Sequence, residues 1–298
     1  MKSILVTGGA GQVGIELSHL TWPDDVKIHT PARDDLDITD PGSVAMHFAN
    51  SQPDCVINLA AYTAVDKAEA DVATTFLVNS QGPAILAEAA RRVGAPILHV
   101  STDYVFNGSA DRPYRETDDP APLNAYGASK LAGELAVRAA NSRSIVLRTA
   151  WVLSAHRSNF IRTMLRLAET TPELRVVDDQ RGSPTSARDI AAALQRLALR
   201  AVDDPKTHWG VYHFVNAGVT SWHGLAEHIF NWRAEHGWPV PQVRPIATTD
   251  FPTPALRPRY SHLDTTLIQA RFGIEPRPWE QAIDEILEEL TAVQQEQR

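Results

Sequence analysis

The chain of 298 residues is 43% apolar and 21% charged, enough for one large domain or for a domain carrying a smaller lobe. Its net charge of -8 argues against nucleic acid or an anionic membrane as the main partner, although a few local arginines can still hold a small anion. The single cysteine, Cys55, has no disulfide partner and no companions for a zinc site, and it lies in an apolar run as a structural thiol.

Short apolar runs alternate with helical patterns through the first half. SILVTG, VKIHT, DCVINLAAY, APILHVST and SIVLRTAWV read as parallel strands, because their Val, Ile and Leu content suits strands covered on both faces. Between them, GQVGIELSHL, DPGSVAMHFANS, a long run from Asp66 to Gly94, and YGASKLAGELAVRAA place apolar residues at helical spacing. Such alternation predicts an α/β fold, a Rossmann-like doubly wound parallel sheet with right-handed crossovers.

After Trp151 the pattern changes. Helices are expected near 158–170, at 187–201 and from about Ser221, with a strand at VYHFVN. The stretch from Pro239 to Pro258 is proline-rich and is not expected to form a regular interior element. WEQAIDEILEELTAV closes the pattern as an amphipathic helix with an acidic outer face. These elements predict a dinucleotide-binding domain over 1–150, completed by segments around 185–217. A mixed α/β substrate lobe would take 151–184 and 218–298. No stretch has the make-up of a signal peptide or the length of a membrane span, so a reducing cytoplasm is the expected compartment.

TGGAGQVG follows the first strand and opens the first helix. It fits glycine patterns through Gly8, Gly11 and Gly14, or Gly9, Gly11 and Gly14. Glycine allows the tight turn and lets a pyrophosphate approach backbone N–H groups at a positive helix end. The strand before and the helix after supply the context that a dinucleotide site requires. In HTPARDDLDITD, Arg33 could meet a 2′-phosphate, and Asp34, Asp35 or Asp37 a ribose. The residues leave NADPH and NADH both open, and Arg33 is equally readable as a surface charge.

The fourth strand ends at Ser101 and Thr102, where ligands sit in a doubly wound sheet. Tyr126 and Lys130 follow a loop and share one helix face at a separation of four. A tyrosine is a weak acid and needs help near neutral pH. A lysine one turn on supplies a charge that favours the phenolate, and Thr102 can bind the same substrate oxygen. The set suits hydride transfer between a nicotinamide and a carbonyl carbon, with a proton passing to the oxygen.

The glycine loop, the strand-ending ST and Y-x-x-x-K together resemble the extended short-chain dehydrogenase/reductase superfamily. More narrowly, the chain resembles the dTDP-4-dehydrorhamnose reductases. The segments that carry this are LDITD, VINLAAYTAVDKAE, STDYVFNG, PLNAYGASKLAGE, RTAWV, NF, DDQRGSPT and FPTPALRP, in that order from residue 1 to about 258. The resemblance implies that Tyr126 is the proton donor, Lys130 its electrostatic partner and Thr102 the oxygen-binding hydroxyl. It places Gly11, Gln12 and Val13 at the cofactor pyrophosphate, and Asp37 and Ile38 near the adenine. Ala60, Ala61 and Tyr62 would line the nicotinamide side, with Asn79 also counted to the cofactor site. Asp103, Tyr104 and Trp151 would border the sugar, and Arg257 would meet its diphosphate. The implied cofactor is NADPH, with NADH possible. The implied substrate is a thymidine-diphosphate sugar with a ketone at C4, and the expected assembly is a monomer or weak homodimer.

Some members dimerise around magnesium, using a glutamate in the first helix and another after the PT of DQxGxPT. Glu16 matches the first, but Arg188 stands at the second and Asp189 beside it, so no metal is expected. A sugar-nucleotide 4,6-dehydratase would carry an acid where Tyr104 stands. An epimerase, another nucleotide-sugar reductase, and a non-catalytic relative such as a methionine adenosyltransferase regulatory subunit remain as alternatives. Trp222 and Trp232 are read as packing residues of the lobe.

Overall fold

In the computed structural model, residues 1–204 and 206–296 are described. The first half alternates as the apolar runs require. β1 (Lys2–Thr7), α1 (Gln12–His19), β2 (Val26–His29), α2 (Pro41–Ser51) and β3 (Cys55–Asn58) come first. The long helical run is broken into α3 (Val65–Ala68), α4 (Val72–Phe76), a π-turn at Leu77–Gln81, and α5 (Gly82–Arg92). β4 (Ile97–Thr102), α6 (Ala125–Ala140) and β5 (Ser144–Thr149) complete this half.

The second half contributes β6 (Val152–Leu153), α7 (Phe160–Ala168), β7 (Glu173–Val177), β8 (Arg181–Gly182) and β9 (Thr185–Ser186). α8 (Ala187–Asp203), β10 (Gly210–His213), β11 (Thr220–Ser221) and α9 (Trp222–Glu235) follow. β12 (Gln242–Ile246), α10 (Thr266–Phe272) and α11 (Trp279–Glu296) end the order.

Six strands pair in the order β10-β5-β4-β3-β1-β2, all parallel. The chain steps from β1 to β2 on one side and returns to β3 on the other, so the winding reverses beside β1. A crevice therefore opens at the carboxyl ends of β1 and β3. The central strands β3 and β5 are buried along their whole length, as parallel strands sandwiched by helices must be. β2 departs from the expectation of burial on both faces. It is the sheet edge, and its residues alternate between half-buried and exposed.

Two cores flank the sheet. One joins Ile4, Val6 and Ile57 to α8 through Ile190, Leu194 and Leu197. The other joins Leu5, Val56 and Ile97 to Leu86 of α5 and Val137 of α6. Cys55 lies in the first core, and burial pushes its thiol up to about 12, so it is an inert packing group. A third core, built from Leu225, Ile229 and Phe230 of α9 with Ile283 and Leu287 of α11, organises the small lobe.

The proline-rich stretch does form a strand. β12 contains Pro245 and pairs in parallel with β7. The pair is isolated and β12 is largely exposed, so it is an edge, where a missing N–H costs little. Among the described residues, no helix is long and apolar enough to cross a membrane.

Candidate active site

A cleft of about 1080 Å³ lies at the carboxyl ends of the strands, between the sheet and the small lobe. Its floor is the turn from β1 to α1. Gly8 adopts φ 74°, and a Cβ there would stand 2.6 Å from the backbone nitrogen of Ala60. A Cβ on Gly14 would run into the backbone of Gly9 at 2.5 Å, so α1 can close on the loop only without a side chain there. The turn thus keeps backbone N–H groups open toward the cleft, as a dinucleotide pyrophosphate requires. Gly8, Gly11, Gln12, Val13 and Gly14 all line it. Gln12 also ties the loop to the lobe. Its Oε1 accepts from Ser154 Oγ and from Asn159 Nδ2, each at 2.9 Å.

At the β2 end, Arg33, Asp37 and Ile38 line the cleft. Asp37 Oδ1 accepts from the Thr39 hydroxyl and backbone N–H, and these bonds hold its carboxyl below the usual range. Arg33 is exposed and stands 4.0 Å from Asp37. A cation over a half-exposed aspartate leaves both the 2′-hydroxyl and the 2′-phosphate readings chemically workable.

Another wall of the cleft is built by β4 and α6. Thr102 is the last residue of β4 and is paired with Thr149 of β5. Asn124 caps α6 by accepting from Gly127 N–H at 2.7 Å, which starts the helix with Tyr126 in its first turn. Tyr126 and Lys130 then reach the cleft beside Thr102. Burial pushes the Tyr126 phenol up to about 12, and the Thr102 hydroxyl works against that rise. Burial also pulls Lys130 down to about 8, opposed by Glu134 one turn further on.

A buried polar chain stands behind Lys130. Its Nζ donates to Val100 O at 2.7 Å and lies 3.5 Å from His99 Nε2. Asn58 Oδ1 accepts from Thr7 Oγ1 and from Ala60 N–H, so its Nδ2 faces His99 Nδ1 at 3.0 Å. That arrangement leaves the His99 proton on Nε2, toward the lysine. Burial, and Lys130 nearby, keep His99 neutral. Below it, Glu134 takes Arg148 at 2.7 Å and Ser101 Oγ at 2.5 Å, a fully buried pair that fixes α6 on β4 and β5.

Part of the cleft wall is aromatic. Tyr104 packs edge-on against Tyr126 with centroids 5.6 Å apart, and burial raises its phenol above the ordinary range. Asp103 is buried beside them, and burial pushes its carboxyl up to about 6. Trp151 lies flat on Trp222 at 3.6 Å, and both line the cleft. Trp222 therefore does more than pack the lobe, which its spacing gave no means of seeing.

Not every expected residue reaches the cleft wall. Ala60 and Ala61 do, whereas Tyr62 and Asn79 are not among its lining residues. The Asn79 amide is fully buried. It exchanges hydrogen bonds with the Tyr62 backbone and donates to Ser129 Oγ, so it fixes the loop after β3 against α6. Arg257 also stands behind the wall. Its guanidinium is bidentate on Asp66 at 2.8 and 3.1 Å, and Tyr104 lies against it.

Away from the cleft, Glu16 meets Arg188 at 3.4 Å, and Arg188 continues to Glu289. Glu16, His19 and His156 place ligand atoms within 4.8 Å of one another, but the Arg188 cation already stands against that carboxylate. Asp189 is held by Arg277 and Asn216.

The chain matches the family described as RmlD substrate binding domain over residues 1–292. It belongs to that family. A dTDP-4-dehydrorhamnose reductase of Burkholderia thailandensis is 45% identical, over 94% of this chain and 96% of the relative. The crystal structure of a dTDP-4-dehydrorhamnose reductase from Clostridium acetobutylicum superposes with a TM-score of 0.90 at 38% identity, covering 97% and 99% of the two chains. That from Bacillus anthracis, in complex with NADP, gives 0.90 at 34% identity, covering 97% and 100%. The two crystal structures thus share the fold over nearly the whole chain, and the strand-end threonine and the Y-x-x-x-K pair stand in this member's own cleft.

Proposed function

We propose that this cleft reduces the C4 ketone of dTDP-4-dehydro-L-rhamnose to dTDP-L-rhamnose with NADPH, NADH being the second choice. The observation that carries the reading is the convergence of Thr102, Tyr126 and Lys130 at the strand ends, in one cleft with the glycine loop. Relatives named for this activity, and a similar protein holding NADP, support the substrate and the cofactor.

When bound, the dinucleotide supplies a hydride; the chain supplies everything else. The glycine loop, with Gln12 and Val13, receives the pyrophosphate. Arg33, Asp37 and Ile38 receive the adenosine end, and Ala60 and Ala61 border the nicotinamide side, with Tyr62 set by Asn79. Tyr126 is kept protonated by burial, which suits a proton donor. As the substrate oxygen gains negative charge, Tyr126 gives it that proton while Thr102 donates a hydrogen bond. Lys130, when cationic, stabilises the phenolate left behind. Asp103, Tyr104 and Trp151 border the sugar, and Tyr104 replaces the acid a dehydratase would need. Arg257 serves the diphosphate side through Tyr104, with its guanidinium held on Asp66 of α3.

The same reading divides the chain into a dinucleotide part, 1–150 with 185–217, and a substrate lobe, 151–184 with 218–298. It describes a cytoplasmic monomer or weak homodimer without a metal at Glu16. Incubation with NADPH and the dTDP-4-keto-6-deoxy sugar, followed by nicotinamide absorbance, is the test. Stoichiometric NADPH loss with dTDP-L-rhamnose formed is expected. Tight dinucleotide binding with no turnover would make the protein a binder, and product epimerised without NADPH loss would make it an epimerase.

A further inference from the structure

Arg157 was singled out by no motif, yet the backbone treats it as special. It has φ 58°, in the left-handed region that a bulky residue occupies only under constraint. The constraint is visible. Ser154 Oγ accepts from His156 N–H while its proton goes to Gln12, and Asn159 Nδ2 donates back to Ser154 O. These bonds fold residues 154–159 into a tight loop with Arg157 at its turn. The loop is then fastened to the glycine turn from two sides. Gln12 takes Ser154 and Asn159, and Arg157 Nε donates to Ala10 O at 2.8 Å.

The result is a guanidinium anchored by one nitrogen to the floor of the cleft, which Arg157 also lines. Its two terminal nitrogens make no intramolecular hydrogen bond or ion pair among the described residues. The other cations lining the cleft are at its ends: Arg33 beside Asp37 and Lys130 beside Val100 O. In a chain of net charge -8, a cation at the middle favours a doubly charged pyrophosphate laid across the glycine turn. Arginine suits it, because two nitrogens of the planar fork can donate to phosphate oxygens while the third stays fixed.

We propose that Arg157 clamps the pyrophosphate of the bound dinucleotide, reaching over the glycine turn from the entrance loop of the small lobe. The inference rests on the dinucleotide reading of the cleft and extends it to a residue outside the glycine pattern. It also explains why a left-handed position that glycine would fill without strain carries an arginine instead. Binding has been favoured over local stability.

The test uses the full chain with no sugar nucleotide present, so that turnover plays no part. NADPH and NADH are titrated separately, with tryptophan fluorescence as the signal, because Trp151 and Trp222 line the same cleft. Thermal midpoints of the free proteins are recorded alongside. Arg157→Gly is expected to weaken both dinucleotides about tenfold or more, the low end for charge-assisted hydrogen bonds. Its thermal midpoint should equal or exceed that of the wild type, because glycine relieves the backbone. Arg157→Lys should recover part of the affinity.

Unchanged affinity for both dinucleotides in Arg157→Gly overturns the clamp. Loss for NADPH alone overturns it too, by moving the contact to the 2′-phosphate. A fall in thermal midpoint that tracks the loss of affinity in both variants makes Arg157 a structural residue and overturns it as well. Where dinucleotide affinity is unaltered, a raised KM for the sugar nucleotide in a separate turnover assay overturns the clamp and gives the arginine to the substrate's diphosphate instead. A wild-type protein that binds neither dinucleotide removes the reading beneath the proposal, a failure distinct from those of the variants.

Discussion

The two walls of the cleft are built by different rules. On the sheet side, Thr102 ends a strand, and Tyr126 and Lys130 share a face of a capped helix. Their positions follow from a hydrogen-bond ladder and from helical spacing, and Glu134, held by Ser101 of β4 and Arg148 of β5, locks the helix onto the sheet. On the lobe side, Trp151 and Arg157 both sit at positive φ, at 44° and 58°. Nothing regular places them. Trp151 is held by stacking on Trp222, and Arg157 by a loop that Gln12, over a hundred positions away, ties to the glycine turn. Reacting groups need fixed geometry through the chemical step, and regular backbone supplies it. Recognition groups must reach around a ligand, and irregular loops allow that once tertiary contacts pin them.

The comparison breaks first at its chemistry. Tyr126→Phe should lower kcat by roughly 10² to 10⁴, the usual worth of a positioned general acid, while the affinity for NADPH holds. Turnover near that of the wild type would take the phenol out of the mechanism and weaken the case that the sheet wall is the reacting one. Next comes rigidity. Glu134→Ala leaves Arg148 buried and unpaired, which costs about 3–5 kcal/mol in urea unfolding. On the lobe, the half-exposed pair of Asp284 with His228 should contribute less than about 1 kcal/mol. Equal losses would show that the lobe is locked as firmly as the sheet.

The third prediction is a pH profile. Burial lowers Lys130 to about 8, and in the proposed mechanism it acts as a cation. Tyr126, raised to about 12, keeps its proton throughout that range. The profile of kcat/KM, which reports the free enzyme, should therefore be flat below pH 8 and fall tenfold per unit above it. Stability runs the other way. The unfolded lysine binds its proton up to its ordinary value of 10.5, so between about 8 and 10.5 the unfolded state holds more protons. This lysine's contribution to folding stability rises with pH across that window. An activity limb near pH 10 would place the lysine in a wetter setting than the closed sheet wall provides.

Smaller effects sharpen the recognition side. Arg257→Ala should raise KM for the sugar nucleotide about tenfold and spare the Kd for NADPH, because the arginine braces the Tyr104 side and not the glycine turn. An unaltered KM would turn attention to Arg162 or Lys67. The least effect belongs to Arg33, which is highly exposed. Arg33→Ala should weaken NADPH only about threefold to tenfold and leave NADH unchanged, since solvent screens the contact. Equal change for both cofactors would return it to the surface.

Much of the sheet side is legible in the sequence. Continuous Val, Ile and Leu runs between helical patterns announce parallel strands, and the Tyr126–Lys130 spacing announces a shared face. The segments that resisted reading did so for physical reasons. β12 contains Pro245, and the rule against proline holds for interior strands, whereas this strand is an exposed edge. Asn79 is counted to the cofactor site in the sequence, whereas in the structure it lies behind the cleft wall. Its burial against Tyr62 and Ser129 depends on how α6 meets the π-turn. Arg257 looked free for a phosphate, but its bidentate partner Asp66 is 191 residues away.

By itself, the sequence determined what is local. Periodicity gave the elements, glycines gave the turn that needs them, and a four-residue interval gave the face on which phenol and ammonium meet. Each depends on backbone geometry that near neighbours set. Only the tertiary structure decided what burial and distance control: the depressed ammonium of Lys130, the tautomer of His99, the occupied guanidinium of Arg257 and the strained Arg157 over the glycine turn. Desolvation and pairing energies belong to groups brought together from distant positions, and no interval along the chain encodes which of them will share a dry space.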